Sequence, residues 1–165
     1  MTQIKEILDE LYDLNITEIL DRRSWDIPFI VKNDPLVLVL KILKTNDHVW
    51  VVENKENRLL RGVITENDLI KSFTPPELLT YSYGRFSKKV LYNCREIDAQ
   101  QLMNRKLVTC DSKNTVREVI IKMLDYRIRR VPLLEDGKLV GEVTIKNLID
   151  IFLIKLTKFD QDAGG

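Results

Sequence analysis

Apolar residues along this chain recur with the period of a helix, then with the period of short strands, and the whole order of patterns occurs twice. In the second occurrence Val116, Val119, Ile120, Met123 and Leu124 fall at i, i+3, i+4, i+7 and i+8, which is one face of a helix. Two short strands follow, one at Val131-Pro132-Leu133-Leu134 and one opening at Gly141, joined by the Asp136-Gly137 signal of a tight hairpin. An apolar helix over residues 148–156 closes the unit. In the first occurrence residues 34–43 are so rich in β-branched and apolar side chains that they could pass for a buried strand. The repeat and the Asp34-Pro35 start predict a helix there, with Asp34 as cap and Pro35 in the first turn. A strand at residues 49–52, a longer turn at 53–58, a second strand from Gly62 and a helix over 69–73 complete that copy. Each copy also opens with a short helix, at Thr17-Glu18-Ile19-Leu20 and, behind a capping-box pattern, at Asp98-Ala99-Gln100-Gln101.

The duplication is plainest at Gly62-Val63-Ile64-Thr65-Glu66-Asn67-Asp68-Leu69 and Gly141-Glu142-Val143-Thr144-Ile145-Lys146-Asn147-Leu148, in which Thr65 and Thr144, and Asp68 and Asn147, stand 79 positions apart. Such a segment reads as a strand running into a helix N-terminus, a natural seat for a phosphorylated ligand. Thr65-x-x-Asp68 is equally a capping pattern. Thr144-x-x-Asn147 suits that role less well, because Asn carries no charge. The predicted organisation is an N-terminal helix (1–13), a first repeat (14–73), a connecting helix (74–94), a second repeat (95–157) and a flexible tail (158–165). A repeat of this size with three short strands cannot close a core alone, so the copies are expected to pack together as one module.

Composition narrows the function classes. At 165 residues, 44% hydrophobic and 31% charged, the chain is an ordinary globular protein. Its 26 basic and 25 acidic residues nearly cancel and form no basic stripe, which disfavours duplex DNA as a partner. No apolar run is long enough to span a bilayer, and the first residues do not resemble a signal peptide, so a cytoplasmic location is expected. Cys94 and Cys110 have neither the spacing of a zinc site nor that of a disulfide framework, and read as buried thiols. No nucleophile–base pair, metal-ligand cluster or Gly-rich phosphate loop points to catalysis.

Two copies of helix, strand, helix, strand, strand, helix, each ending in Gly-hydrophobic-x-Thr-x-x-Asp/Asn, resemble the tandem cystathionine-β-synthase (CBS) domain pair, or Bateman module. The resemblance implies an α/β (α+β) fold of two pseudo-symmetric repeats, each a small three-stranded sheet backed by helices. It also implies a noncatalytic regulatory module that binds an adenosine derivative (AMP, ADP, ATP or S-adenosylmethionine) in clefts between the repeats. No metal or other cofactor is required. By the same resemblance Asp68 and Asn147 match the residue that hydrogen-bonds ribose hydroxyls, and Thr65 and Thr144 the hydroxyl that contacts ribose or phosphate. Arg129 and Arg130 stand where a basic residue reaches phosphate; their place in the first copy is taken by Asp47 and His48, the latter read as a partly exposed strand-edge residue. Thr109 lies in the strand region used for adenine recognition, with Ile30 and Val31 as weaker counterparts. Pro132, counted among the binding positions, stands where the first copy has Trp50, which is read as core packing. A carboxylate accepts from both hydroxyls of a diol where Asn offers one oxygen, so the two sites are expected to be unequal. The implied partners are the adenosine ligand, a second copy in a homodimer acting in energy sensing, and a target protein regulated in trans. The competing reading is a structural or oligomerisation module with one or both clefts empty.

Overall fold

The computed structural model describes residues 2–21, 24–73 and 96–163. The predicted connecting helix and Cys94 lie outside the described residues. The chain divides into two compact units, residues 28–107 and residues 1–27 with 108–165.

The first unit holds β1 (Phe29–Val31), α2 (Leu36–Leu43), β2 (His48–Val52), β3 (Leu60–Thr65), α3 (Glu66–Phe73) and α4 (Ala99–Leu102). β2 is the central strand, parallel to β1 and antiparallel to β3. All five of its residues are therefore buried, and Val49 and Val51 join Ile30, Val39, Leu43, Ile64 and Leu69 in the core. The apolar run at 36–43 is indeed helical, but Pro35 occupies the cap position and Asp34 does not cap it. The Asp34 carboxylate turns back to accept from the Val31 amide at 2.8 Å, closing the turn between β1 and α2.

The second unit holds α1 (Thr2–Asp13), a 3-10 turn at Ile16–Ile19, α5 (Val116–Tyr126), β4 (Arg130–Glu135), β5 (Lys138–Thr144) and α6 (Ile145–Ala163). Thr115 caps α5 in a reciprocal box with Glu118, an arrangement worth about 1 kcal/mol. Val116, Val119 and Met123 bury the face read from the pattern, while Leu124 at its edge is 72% exposed. The β4–β5 hairpin turns at Asp136 and Gly137, both with positive φ (51° and 76°), as an Asp-Gly turn requires. The third strand is reduced here to a single parallel bridge between Cys110 and Leu133. Both hairpins carry a register shift at equivalent places, Val51/Val52 and Leu133/Leu134. α6 runs on through Ala163, past the point at which a flexible tail was predicted, because no helix-breaking residue occurs before Gly164-Gly165.

The opening segment of each sequence repeat lies in the unit built from the other repeat. Residues around the 3-10 turn pair with the start of α5, through Ile16 N–H to Asn114 O and Val116 N–H to Leu14 O, both 2.9 Å. Residues around α4 pair with the start of α2, through Leu36 N–H to Ile97 O and Ala99 N–H to Asp34 O, also 2.9 Å. The bridged residues, Asn15 with Thr115 and Asp98 with Pro35, are in each case the residues that precede the helices.

Candidate functional site

Each octapeptide forms the turn from a hairpin strand into a helix. β3 ends at Thr65 and α3 begins at Glu66; β5 ends at Thr144 and α6 begins at Ile145. Thr65 donates its backbone N–H and its hydroxyl to Asp68 Oδ2, both at 2.9 Å. Thr144 makes the same two bonds to Asn147 Oδ1, at 2.8 and 2.9 Å. Asn147 N–H also donates to Thr144 Oγ1 at 3.3 Å, so the second motif closes both arms of a helix cap. This corrects the reading of Asn147 as a poor cap. The arms need a carbonyl oxygen and a hydroxyl, and an amide oxygen serves as well as a carboxylate.

The strand register identifies what faces each turn. His48 lies opposite Thr65 and Arg130 opposite Thr144. Asp47 O accepts from Glu66 N–H at 3.3 Å as Arg129 O accepts from Ile145 N–H at 2.9 Å. The first turn thus gathers Asp47, His48, Thr65 and Asp68, and the second Arg129, Arg130, Thr144 and Asn147. Arg129 is exposed, whereas Arg130 is half-buried and reaches buried Glu142 across the hairpin at 3.4 Å. His48 is 3% exposed, not the partly exposed edge residue expected, because it opens the central strand. Its Nδ1 lies 2.9 Å from Asp47 Oδ1 and its ring meets the buried Trp50 edge-on at 5.3 Å.

Thr109 precedes Cys110, which bridges to β4 beside Pro132. Pro132 is buried, and its carbonyl accepts from the amide of Cys110, the residue after Thr109, at 3.0 Å. Burial pushes the Cys110 thiol up to about 12. The Thr109 carbonyl accepts from Lys122 Nζ at 2.7 Å, and that ammonium also reaches Asn114 Oδ1. Lys122 escaped the motif reading because its contact lies on the polar side of an amphipathic helix.

A further chain segment covers each hairpin at the glycine of the octapeptide. A Cβ at Gly62 would lie 2.6–2.8 Å from the Sδ, Cγ and Cβ of Met103; one at Gly141 would lie 2.8 Å from Ser24 O and 3.2 Å from the Trp25 ring. Met103 and Ser24 are themselves 79 positions apart, the spacing of the octapeptides. Met103 is followed by Asn104, which exchanges backbone hydrogen bonds with Val63. Buried Ser24 instead accepts a hydrogen bond from Asn147 Nδ2 at 3.1 Å, and its own amide and hydroxyl donate to Asp21 Oδ1. Asp21 and Ser24 carry no signal within the motif and emerge only through the repeat spacing. Among the described residues, no group of three or more His, Cys, Asp or Glu is placed to hold a metal ion, and no helix is long and apolar enough to cross a membrane.

The CBS domain family matches residues 16–74 and 97–154. An uncharacterized protein of Methanopyrus kandleri is 30% identical over 104 residues, 62% of this chain and 45% of that protein. A homoserine O-acetyltransferase of Methanococcus vannielii is 23% identical over 92% of this chain but only 28% of its own length. The chain thus spans less than half of these relatives. Among solved structures, the CBS domain of a membrane protein from Sphaerobacter thermophilus superposes with a TM-score of 0.67 at 24% identity, covering 90% of this chain and 94% of that one. CBSX2 in complex with AMP gives 0.63 at 20% identity (84% and 96%), and the CBS domain pair of protein MJ0100, in complex with 5′-methylthioadenosine and S-adenosylmethionine, gives 0.59 at 24% identity (84% and 99%).

Proposed function

The chain belongs to the CBS domain family, and we propose that it is a noncatalytic regulatory module that binds an adenosine derivative in clefts between its repeats. The observation that carries this reading is the first strand-to-helix turn. There Thr65 and Asp68 stand at the N-terminus of α3, held by bonds of 2.9 Å, in a form suited to ribose hydroxyls. At the second turn, Arg129 and Arg130 would supply cations for phosphate, and Thr109 with Pro132 the neighbourhood for adenine. AMP-bound and S-adenosylmethionine-bound neighbours of the same fold support the ligand class. The module works in the cytoplasm as an energy sensor and passes its state to a target protein.

It acts as a homodimer through α5 and α6, where a groove of about 470 Å³ is lined by apolar side chains including Leu124, Ile149, Leu153 and Leu156. Exposed apolar faces of that kind mark association surfaces. A second reading, a structural module with one cleft empty, is favoured at the second turn by the engagement of Asn147 with Ser24.

Thermal unfolding with AMP, ATP, S-adenosylmethionine and a deoxyribose control tests the reading. A ligand at about 100 times its Kd adds roughly 2.7 kcal/mol of stability. Asp68→Ala is expected to abolish the shift and the deoxyribose form to give less of it. No shift with any of the nucleotides leaves the structural module in its place.

A further inference from the structure

We infer that the apolar groove between α5 and α6 receives helix α3 of a second copy, so that the dimer is closed by two ridge-in-groove contacts rather than by groove against groove. The inference rests on the homodimer reading above and names what each chain offers the other.

The groove has a buried floor, at Met123 and Leu148, and walls that stand in solvent, Leu124 on α5 and Ile149, Leu153 and Leu156 on α6. Its volume of about 470 Å³ is space that a partner must fill. The centre of a protein interface packs as densely as an interior, and an apolar void forfeits the contacts of the atoms that line it. Two copies of a concave face laid on each other leave that space unfilled. A convex apolar element closes it.

Helix α3 has that form. Ile70 and Phe73 are 63% and 53% exposed, and with Glu66 they lie at i, i+4 and i+7, which is one face of the helix. The repeat spacing of 79 sets Ile70 and Phe73 against Ile149 and Phe152, which line the groove in the other unit. Their surroundings make the difference. Leu124, the groove wall one residue past buried Met123, has as its counterpart Lys44, one residue past buried Leu43. Phe152 in turn is met edge-on by Tyr12 of α1, ring centroids 6.2 Å apart. Equivalent residues are thus recessed in one unit and raised in the other.

Charge follows the same order. Ile145 N–H donates to Arg129 O at 2.9 Å, so the end of α5 and the start of α6 meet at one end of the groove, where Arg127 and Lys146 are exposed. On α3 the exposed carboxylate of Glu66 precedes Ile70 and Phe73. The ridge reads acid and then two apolar side chains; the groove reads cations and then an apolar channel. Exposed ion pairs contribute little energy, so these charges set the direction of the helix in the groove, and burial of Ile70 and Phe73 holds it there. A two-fold axis repeats the contact, with α3 of each chain entering the groove of the other.

Full chains in a Cys94→Ser background, in which Cys110 stays buried, test the pairing when treated with a short bismaleimide linker and resolved on denaturing gels. The variant carrying both Phe73→Cys and Leu153→Cys is expected to give a cross-linked dimer, and each single variant little or none. Charge reversal is a second readout that needs no linker. Glu66→Lys and Lys146→Glu are each expected to raise the dimer Kd by about 2–10-fold in sedimentation equilibrium, and the double variant Glu66→Lys/Lys146→Glu to recover most of that loss. A merely structural effect of either change would add in the double variant and not cancel. A wild-type dimer in which Leu153→Cys links to itself as well as the Phe73→Cys/Leu153→Cys variant does, or in which the two reversals add, overturns the ridge-in-groove contact and leaves the homodimer standing. A chain that sediments as a monomer throughout overturns both.

Discussion

Alanine at either octapeptide glycine puts one methyl group into a space already filled, and the structure predicts that the two strains are relieved differently. At Gly141 the nearest atom is a backbone oxygen, Ser24 O, at 2.8 Å, against an ordinary contact that begins near 3.4 Å. The Ser24 amide and hydroxyl are tied to Asp21 and Asn147, so the segment cannot withdraw without loosening those bonds. Overpacking of this kind costs about 1–3 kcal/mol, offset by about 0.5–1 kcal/mol because Gly is itself unfavourable in a strand. Gly141→Ala should therefore destabilise by about 1–2 kcal/mol, roughly 2–8 °C in Tm for a chain of this size. At Gly62 the obstruction is the Met103 side chain, with Sδ at 2.6 Å and Cγ at 2.7 Å. Met103→Ala removes both atoms, and in that background Gly62→Ala should cost about 1 kcal/mol less than it does in the wild type. Trp25→Ala should give Gly141→Ala little such relief, since the carbonyl oxygen remains. Urea denaturation of both double-mutant cycles measures the couplings directly. Equal costs of Gly62→Ala with and without the Met103 side chain, or a Gly141→Ala protein as stable as the wild type, would refute the argument that these glycines exist for the crossing segments.

Other outcomes follow from particular atoms. Arg127 ends α5 in the left-handed region (φ 53°, ψ 42°), and Arg127→Gly should raise Tm by about 2–4 °C in a melt, since a non-glycine residue there is strained by about 1 kcal/mol. Thr115→Ala removes one arm of the α5 capping box and should lower stability by about 1 kcal/mol by urea titration. The carboxyl of its partner Glu118 is held below its usual range first by the Asn114 amide, so the stability it contributes is present at neutral pH and is lost as pH falls through that lowered value. In a Cys94→Ser background, folded Cys110 should stay unreactive to a thiol reagent at pH 8. As pH rises from 9 toward about 12 the unfolded chain releases a thiol proton that the folded chain keeps, so stability should fall by up to about 1.4 kcal/mol per pH unit, and that part of the fall should vanish in Cys110→Ala. Leu153→Glu on α6, at a side chain 58% exposed, should convert a dimer to a monomer in light scattering and remove the dependence of Tm on protein concentration; a dimer that survives it does not use this face.

The repeat was legible because it needed only periodicity and turn chemistry, both local. The Asp136-Gly137 hairpin, the buried face of α5 at Val116, Val119 and Met123, and the helical start after Thr65 and Thr144 stand where the sequence predicts them. Features that depend on a distant partner were not legible. The run at 36–43 signals a helix through its repeat, but nothing local shows that Ile97 O receives the Leu36 amide. His48 looks like an edge residue until β1 is known to lie on the far side of β2. Asn147 is the sharpest case, because its polarity is set by a serine 123 positions away. Within the motif an Asn for Asp exchange reads as a weaker version of the same site. With Ser24 and Asp21 in place it is the residue type that the hydrogen count demands, since one hydroxyl hydrogen cannot serve two carboxylates. Duplication shows which positions began as equivalents, and the donors and acceptors of the covering segments show where they have since parted. The search for a ligand therefore belongs first at Asp68, and at Asn147 only after Ser24 has been removed.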